Sequence, residues 1–348
     1  MIVHSLLRHR RRLDWSQQRL AERSGLSRAE ISAIETGRVV PSTAAALSLA
    51  RAFNCSVETL FSLRRIPSQT AQWAWKPSQH QGRFWQARVR GKTLFFPCER
   101  TLAGTLGHDG IFQDGQVEWT RPGDPEQTLV IAGCDPAVGL LAARVQALSG
   151  FRVLPLTRSS RRAVELLGQG LVHAAGLHFS HGLAQNENSA TAQSLLKEEF
   201  RLLRLARWEE GVALAPSLKT GSIRTVLASN LRWVGREEGS GSRQCLDQIL
   251  GRRRKPRGYH HQAPTHHGVT ETIRSGWAQA GVCLRLTAEE QGLHFLKVRE
   301  ENYDYCFPAA AESEPAIQTL LSAVRSSDYR KDLDHLPGYQ TSDSGDLK

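Results

Sequence analysis

The stretch "SQQRLAERSGLSRAEISAIETGR", Ser16–Arg38, decides how the chain begins to fold. Leu20 and Ala21 before the break at Ser24-Gly25-Leu26-Ser27, and Ile31 and Ile34 after it, recur at helical spacing, which predicts two short helices joined by a tight turn. Gly25 suits the left-handed conformation that ends the first helix, and Ser27 suits the cap of the second, where its hydroxyl accepts from a free backbone N–H. Leu6 and Leu7 lie on a leading basic helix, Pro41 and Ser42 open a fourth helix carrying Leu47, Ala50 and Phe53, and Ser56 caps a fifth with Leu60 and Phe61.

Charge is concentrated in the same place. Of a net +11 over 348 residues, residues 1–66 hold eleven Arg against five acids, a net of +6, so over half the excess sits in about a fifth of the length and points to a polyanion partner. The six cysteines (55, 98, 134, 245, 283, 306) form no Cys-x-x-Cys pair, which argues against a zinc knuckle or a disulfide framework and for a reducing compartment. No apolar run approaches the roughly 20 residues that span a bilayer, and the N-terminus lacks the apolar core of a signal peptide, so a cytoplasmic protein without a membrane partner is expected.

The pattern "LDWSQQRLAERSGLSRAEISAIETGRVVPS" resembles the Cro and repressor type of helix-turn-helix domain, the XRE family, over residues 1–66. That resemblance implies a double-stranded DNA operator as partner, read by a homodimer with the third helix in the major groove. Carried over, Arg28, Ala29, Ser32 and Ala33 face the bases, Ser27 at the helix start is a further DNA-binding candidate, and Arg28 is placed for a two-pronged contact to guanine O6 and N7. Gln17 and Arg38 match positions that hold phosphates, while Glu30 and Glu35 are expected in contacts within the domain.

Residues 67–127 are rich in turns and aromatic residues (Trp73, Trp75, Phe84, Trp85), which predicts a small β-rich linker whose Trp side chains pack on a neighbour. From residue 128 to 340 strands and helices alternate: "TLVIAG" into a helix ended by Gly150, "FRVLPL" into "TRSS", "LVHAAGLHF", "GVALAP", "LRWVGREEGSGSRQCLDQIL", and a helix-to-strand run in "VTETIRSGWAQAGVCLRL". Alternation of this kind predicts mostly parallel sheet flanked by helices. Crossing segments near 200–208 and 294–307 would join two lobes around a cleft, and residues 341–348 read as a tail.

The runs "AGCDPAVGLLAA", "AAGLHF", "EEGSGSR", "SGWAQAGVCLR", "ENYDYCFP" and "LLSAVRSSDYRKDLDHLPGY" resemble the periplasmic-binding-protein-like (type II) domain found fused to helix-turn-helix units and related to molybdate and tungstate binders. The expected fold is therefore an all-α helix-turn-helix domain plus an α/β two-lobed domain. Helix starts carry unpaired N–H donors and partial positive charge, and small residues let an anion approach them. By that resemblance Cys134, Ser159, Ser160, Ser240, Gly241, Ser242, His267 and Tyr303 are the candidate contacts for a small oxyanion such as molybdate or tungstate; neither a cofactor nor a metal is expected.

The Ser residues could equally be simple helix caps, and His178 a satisfied internal histidine or a contact. The run "RRRKPRGYHHQAPTHHG" could bind a metal through His260, His261, His266 and His267, but without acidic or cysteine partners at firm spacing it reads as a solvated loop. The function expected is that of a ligand-responsive transcriptional regulator and not an enzyme. The rival is an enzyme of molybdenum-cofactor or small-molecule metabolism with an autoregulatory DNA-binding domain, and a third reading is a constitutive DNA-binding protein.

Overall fold

A computed structural model describes residues 2–63, 72–179, 187–218, 221–251 and 261–348, and the chain divides into two compact units, Met1–Thr70 and Ala71–Lys348. The first holds α1 (Leu6–Arg12), α2 (Gln17–Ser24), α3 (Arg28–Glu35), α4 (Thr43–Phe53) and α5 (Val57–Leu60), with β1 (Ile2–His4) antiparallel to β2 (Phe61–Leu63). Leu6, Leu20, Ile31, Ile34, Leu49 and Leu60 fill its core. Leu47 of α4 is 57% exposed, and Leu49 is buried instead.

In the second unit, β3 (Gln72–Trp73), β4 (Gln81–Val89), β5 (Lys92–Pro97), β6 (Gly110–Gln113) and β7 (Gln116–Trp119) form a five-stranded sheet in the order β3-β5-β4-β6-β7. Alternation along β4 and β5 divides the aromatics. Phe84 and Phe95 join Trp73 and Phe112 on one face, while Trp85, Val89, Leu94 and Phe96 share a core with Val130, Leu154 and Ala163. Trp85 thus packs on the α/β region that follows, and a buried Asp109 paired with both terminal nitrogens of Arg152 (2.7 and 2.8 Å) pins the two together.

The α/β region runs β8 (Thr128–Gly133), α6 (Val138–Ser149), β9 (Arg152–Thr157), α7 (Ser160–Gly168), β10 (Ala174–Leu177), α8 (Glu187–Leu195), β11 (Phe200–Leu214), α9 (Ile223–Ala228), β12 (Trp233–Arg236), α10 (Gly241–Leu250), β13 (Gln262–Ala263), α11 (His266–Arg274), β14 (Ala280–Leu284), α12 (Arg285–Glu290), β15 (His294–Pro308), α13 (Pro315–Arg325), α14 (Ser327–Asp334) and β16 (Tyr339–Gln340). One nine-stranded sheet runs through it in the order β13-β12-β14-β11-β15-β10-β8-β9, with β16 on β11. The first lobe (β8, β9, β10) and the second (β12, β13, β14) are each parallel, and β11 and β15 cross between them as an antiparallel pair. "GVALAP" is not a separate strand: its first four residues, all buried, end the 15-residue β11, which keeps its pairing with β15 across a register shift at Glu210/Gly211.

The last residues are not a loose tail. Asp343 pairs with Arg204 (2.6 Å) and Arg207 (2.8 Å), and Leu202 and Lys348 exchange backbone hydrogen bonds.

Candidate functional site

In the helical unit, Ser27 caps α3 by accepting from Glu30 N (3.2 Å) while Glu30 Oε2 accepts from Ser27 N (2.9 Å), a reciprocal capping box. Gly25 ends α2 at φ 71°. Arg28 and Ala29 are exposed at the start of α3 and Ser32 is half-buried one turn on. Gln17 donates to Glu35 Oε2 (2.9 Å), and Glu35 also receives Arg10 Nε (2.6 Å) and Nη2 (2.9 Å), so at least one amide proton of Gln17 is committed inside the domain. Arg38 is exposed and donates to Thr36 Oγ1 (3.0 Å).

In the α/β region, connections leave β8 in opposite directions: β9 lies on one side and β10 on the other. The second lobe repeats this about β12, flanked by β13 and β14. Ligands of such sheets sit beyond the carboxyl ends of the strands at these switch points. Cys134 follows β8, His178 follows β10 and Arg236 ends β12; all three are buried.

His178 is the centre. Its Nδ1 meets Glu301 Oε2 at 2.8 Å, its backbone N donates to Ser160 Oγ (3.2 Å), and its ring lies 5.1 Å from that of Trp208 and 5.8 Å from that of His266. Gly241, at the start of α10 in the opposite lobe, packs directly on it: a Cβ there would come within 2.5 Å of Nδ1 and nearer still to the carbonyl oxygen. Arg161 N also donates to Gly239 O (3.3 Å), so the lobes meet. Outside this contact a groove of about 660 Å³ opens between Arg161 and Phe179 on one lobe and Ser240 and Arg243 on the other.

Two acids complete the cluster. Glu210 accepts from Ser242 Oγ (2.5 Å) and Arg299 Nη2 (2.9 Å), and Arg299 also pairs with Glu301. Burial, with Glu301 nearby, pushes the Glu210 carboxyl up to about 7. Burial works against the charged form of Glu301 too, but His178 and Arg299 hold its pKa below the usual carboxylate range. For His178 burial again opposes charge, and Cys134 and Glu301 outweigh it, raising the pKa well above the usual value; burial and the neighbouring Arg236 and His178 hold His266 well below it.

Several buried polar atoms make no hydrogen bond: His178 Nε2, both ring nitrogens of His266, Arg236 Nη1 and the Tyr303 hydroxyl. The last of these lies over bare Gly133 and Gly176. Asp135 is turned away, accepting from Tyr339 OH (2.6 Å) and Ala137 N (2.9 Å), and burial raises its pKa to about 6.

Of the residues nominated from sequence, Cys134, Ser160, Gly241 and Ser242 therefore gather around His178. Ser240 caps α10 by accepting from Arg243 N (3.2 Å), Ser159 is the buried N-cap of α7, and Tyr303 stacks on Trp208 with ring centroids 4.4 Å apart. His267 does not enter the cluster: it is 3.9 Å from Glu290 on the half-exposed side of α11, and its neighbour His266 turns inward. His261 is exposed, and His260 lies outside the described residues. Glu210, Glu301, Arg299, Arg236 and Trp208 were not singled out from sequence. For all but Arg236 the signal was present in "RWEEG" and "REEN", paired acids inside strands.

Comparison with known proteins gives two matched families, described as PBP superfamily domain over residues 142–325 and Helix-turn-helix over residues 6–60. The Bacillus subtilis protein YvgK is 23% identical over 237 residues, 66% of this chain and 76% of its own. The HTH-type transcriptional regulator YgzD of the same organism is 41% identical over 54 residues, 16% of this chain and 82% of its own. Among solved structures, PhnD1 from Prochlorococcus marinus in complex with methylphosphonate aligns at 14% identity and a TM-score of 0.45, over 62% of this chain and 92% of that one. No helix among the described residues is long and apolar enough to cross a membrane.

Proposed function

We propose, from the premise that this chain belongs to the PBP superfamily and carries an XRE-type helix-turn-helix at its N-terminal end, that it is a cytoplasmic transcriptional regulator whose operator binding responds to a small anion held between the two lobes. The observation that carries this reading is the meeting of strand ends and helix starts from both lobes at one buried point, where His178 touches Ser160 and Gly241. Arg236 Nη1 adds an unspent donor beside the start of α11, since its Nη2 is held by Pro264 O (3.2 Å). Donors of this kind suit a compact oxyanion, with molybdate and tungstate the first to test. Glu210 and Glu301 already occupy Arg299 and His178, so an anion held here would be met by Arg236 and by hydrogen-bond donors rather than by those cations.

An anion that binds closed lobes shifts the protein toward them by its differential affinity, and paired N-terminal domains of a homodimer would transmit that shift to two operator half-sites. A thermal-shift series with molybdate, tungstate, sulfate and phosphate tests the sensor. At 100-fold excess over Kd the effector should stabilise by about 2.7 kcal/mol, and the same anion should change operator affinity in a mobility-shift titration. No shift with any of them, and operator binding indifferent to all, would remove the reading.

A second reading rests on one observation. Cys134, His178 and Glu301 bring a thiol, an imidazole and a carboxylate together in the order used by nucleophilic enzymes. Turnover of activated esters or thioesters, abolished by Cys134→Ser, would favour it over a sensor.

A further inference from the structure

Two groups of possible metal ligands share His178: Cys134 with His178 and His266, and His178 with Glu210 and Glu301, the ligand atoms of each lying within 4.8 Å of one another. The second group is already satisfied, because Glu210 is held by Ser242 and Arg299, and Glu301 by His178, Trp208 and Arg299. The first is not. Both nitrogens of His266 are fully buried and make no hydrogen bond, although buried polar groups are normally partnered, and beyond its bond to Glu301 the His178 ring has only the Cys134 thiol.

From this contrast we infer that Cys134, His178 and His266 form a three-ligand site for a borderline-soft divalent cation of the zinc type, with one coordination position left open toward the cleft. One thiolate and two imidazoles suit such an ion, whereas calcium and magnesium require oxygen ligands. His178 has the arrangement of a metal-ligating histidine: its Nδ1 is fixed by the Glu301 carboxylate, which Trp208 Nε1 also reaches (3.3 Å), which leaves Nε2 as its available ligand atom. The two histidines come from opposite lobes, His178 after β10 and His266 at the start of α11, so the ion would hold the lobes together. The inference deepens the sensor reading, since an open position on the ion would bind the anion directly.

The test is titration of the full-length, chelator-treated chain with Co2+, read by thiolate-to-cobalt charge-transfer absorption and by metal-to-protein ratio, followed by displacement with Zn2+. One cobalt per chain with a thiolate band is expected. Cys134→Ser should abolish the band, His266→Leu should lose tight binding, and Glu301→Gln, which removes the carboxylate that fixes His178, should weaken binding by about 10- to 100-fold. Cys98→Ser and His261→Ala should change nothing. His266→Leu guards against misreading a folding defect, because that ring makes no hydrogen bond and its loss should leave the chelated protein folded by circular dichroism.

A thiolate band that survives Cys134→Ser, undiminished binding in His266→Leu, or no cobalt uptake would each overturn the site. An oxyanion-induced rise in Tm in protein that takes up no cobalt overturns the metal site and leaves the sensor reading standing. Cobalt uptake with no anion response does the reverse.

Discussion

Gly241→Ala is a sharp test of whether the lobes work closed on each other. The backbone of Gly241 does not need the left-handed conformation, so the substitution carries no intrinsic strain, and on an exposed helix start it would be neutral or stabilising by up to about 1 kcal/mol. Against His178 the new methyl would lie 2.5 Å from Nδ1, 2.6 Å from Cε1 and nearer still to the carbonyl oxygen, where ordinary contact begins at 3.4 Å. The carbonyl is backbone and cannot rotate aside, so α10 and the His178 segment must part by roughly 1 Å, an overpacking cost of about 1–3 kcal/mol. If that cost falls on the closed arrangement alone, effector affinity drops by about 5- to 150-fold, at tenfold per 1.4 kcal/mol. Isothermal calorimetry with the stabilising anion, beside urea unfolding of the same variant, measures both terms. Equal affinity within twofold together with unchanged or higher stability would refute the packing argument.

The remaining predictions concern other parts of the chain. His173 accepts from Val130 N (2.9 Å) and shares a hydrogen bond with Arg88 O (3.0 Å), and burial lowers its pKa from 6.5 to about 4, so its stabilising contribution is present above 6.5 and lost as pH falls through 4. Unfolding free energy should fall by about 2 kcal/mol more between pH 7 and pH 5 in the wild type than in His173→Gln. Gly176→Ala drives a methyl into the Tyr303 hydroxyl and should destabilise the second unit by about 2–3 kcal/mol, with partial rescue by Tyr303→Phe in calorimetric Tm. Arg28→Ala should weaken operator binding by about 1–3 kcal/mol and relax the preference for one base, whereas Arg38→Ala should weaken all sequences alike and reduce the salt slope.

The helical unit was legible almost throughout, because local chemistry sets it: Ser16, Ser27, Ser42 and Ser56 all cap helices, and Gly25 ends one with positive φ. Alternation also gave the strands and helices of the lobes, except where β11 continues unbroken into "GVALAP". The site was half legible. A search for small residues at helix starts finds Ser160, Gly241 and Ser242, but its premise of an anion held by neutral donors passes over the acids. Glu210 and Glu301 meet only because β11 and β15 pair antiparallel in a register that no local pattern reveals. His266 and His267 are adjacent in sequence, and only the angle at which α11 leaves Thr265 decides which of them faces inward.

That register has a further consequence. β11 and β15 are the strands that pass from one lobe to the other, their ladder slips between Glu210 and Gly211, and Trp208, Glu210, Arg299, Glu301 and Tyr303 all sit on this stretch. The pivot and the seat are therefore one piece of backbone. On the proposed function, a guest held there would push on the fulcrum itself, its grip would become lobe rotation with no relay in between, and residues far from the crossing would tune the response little.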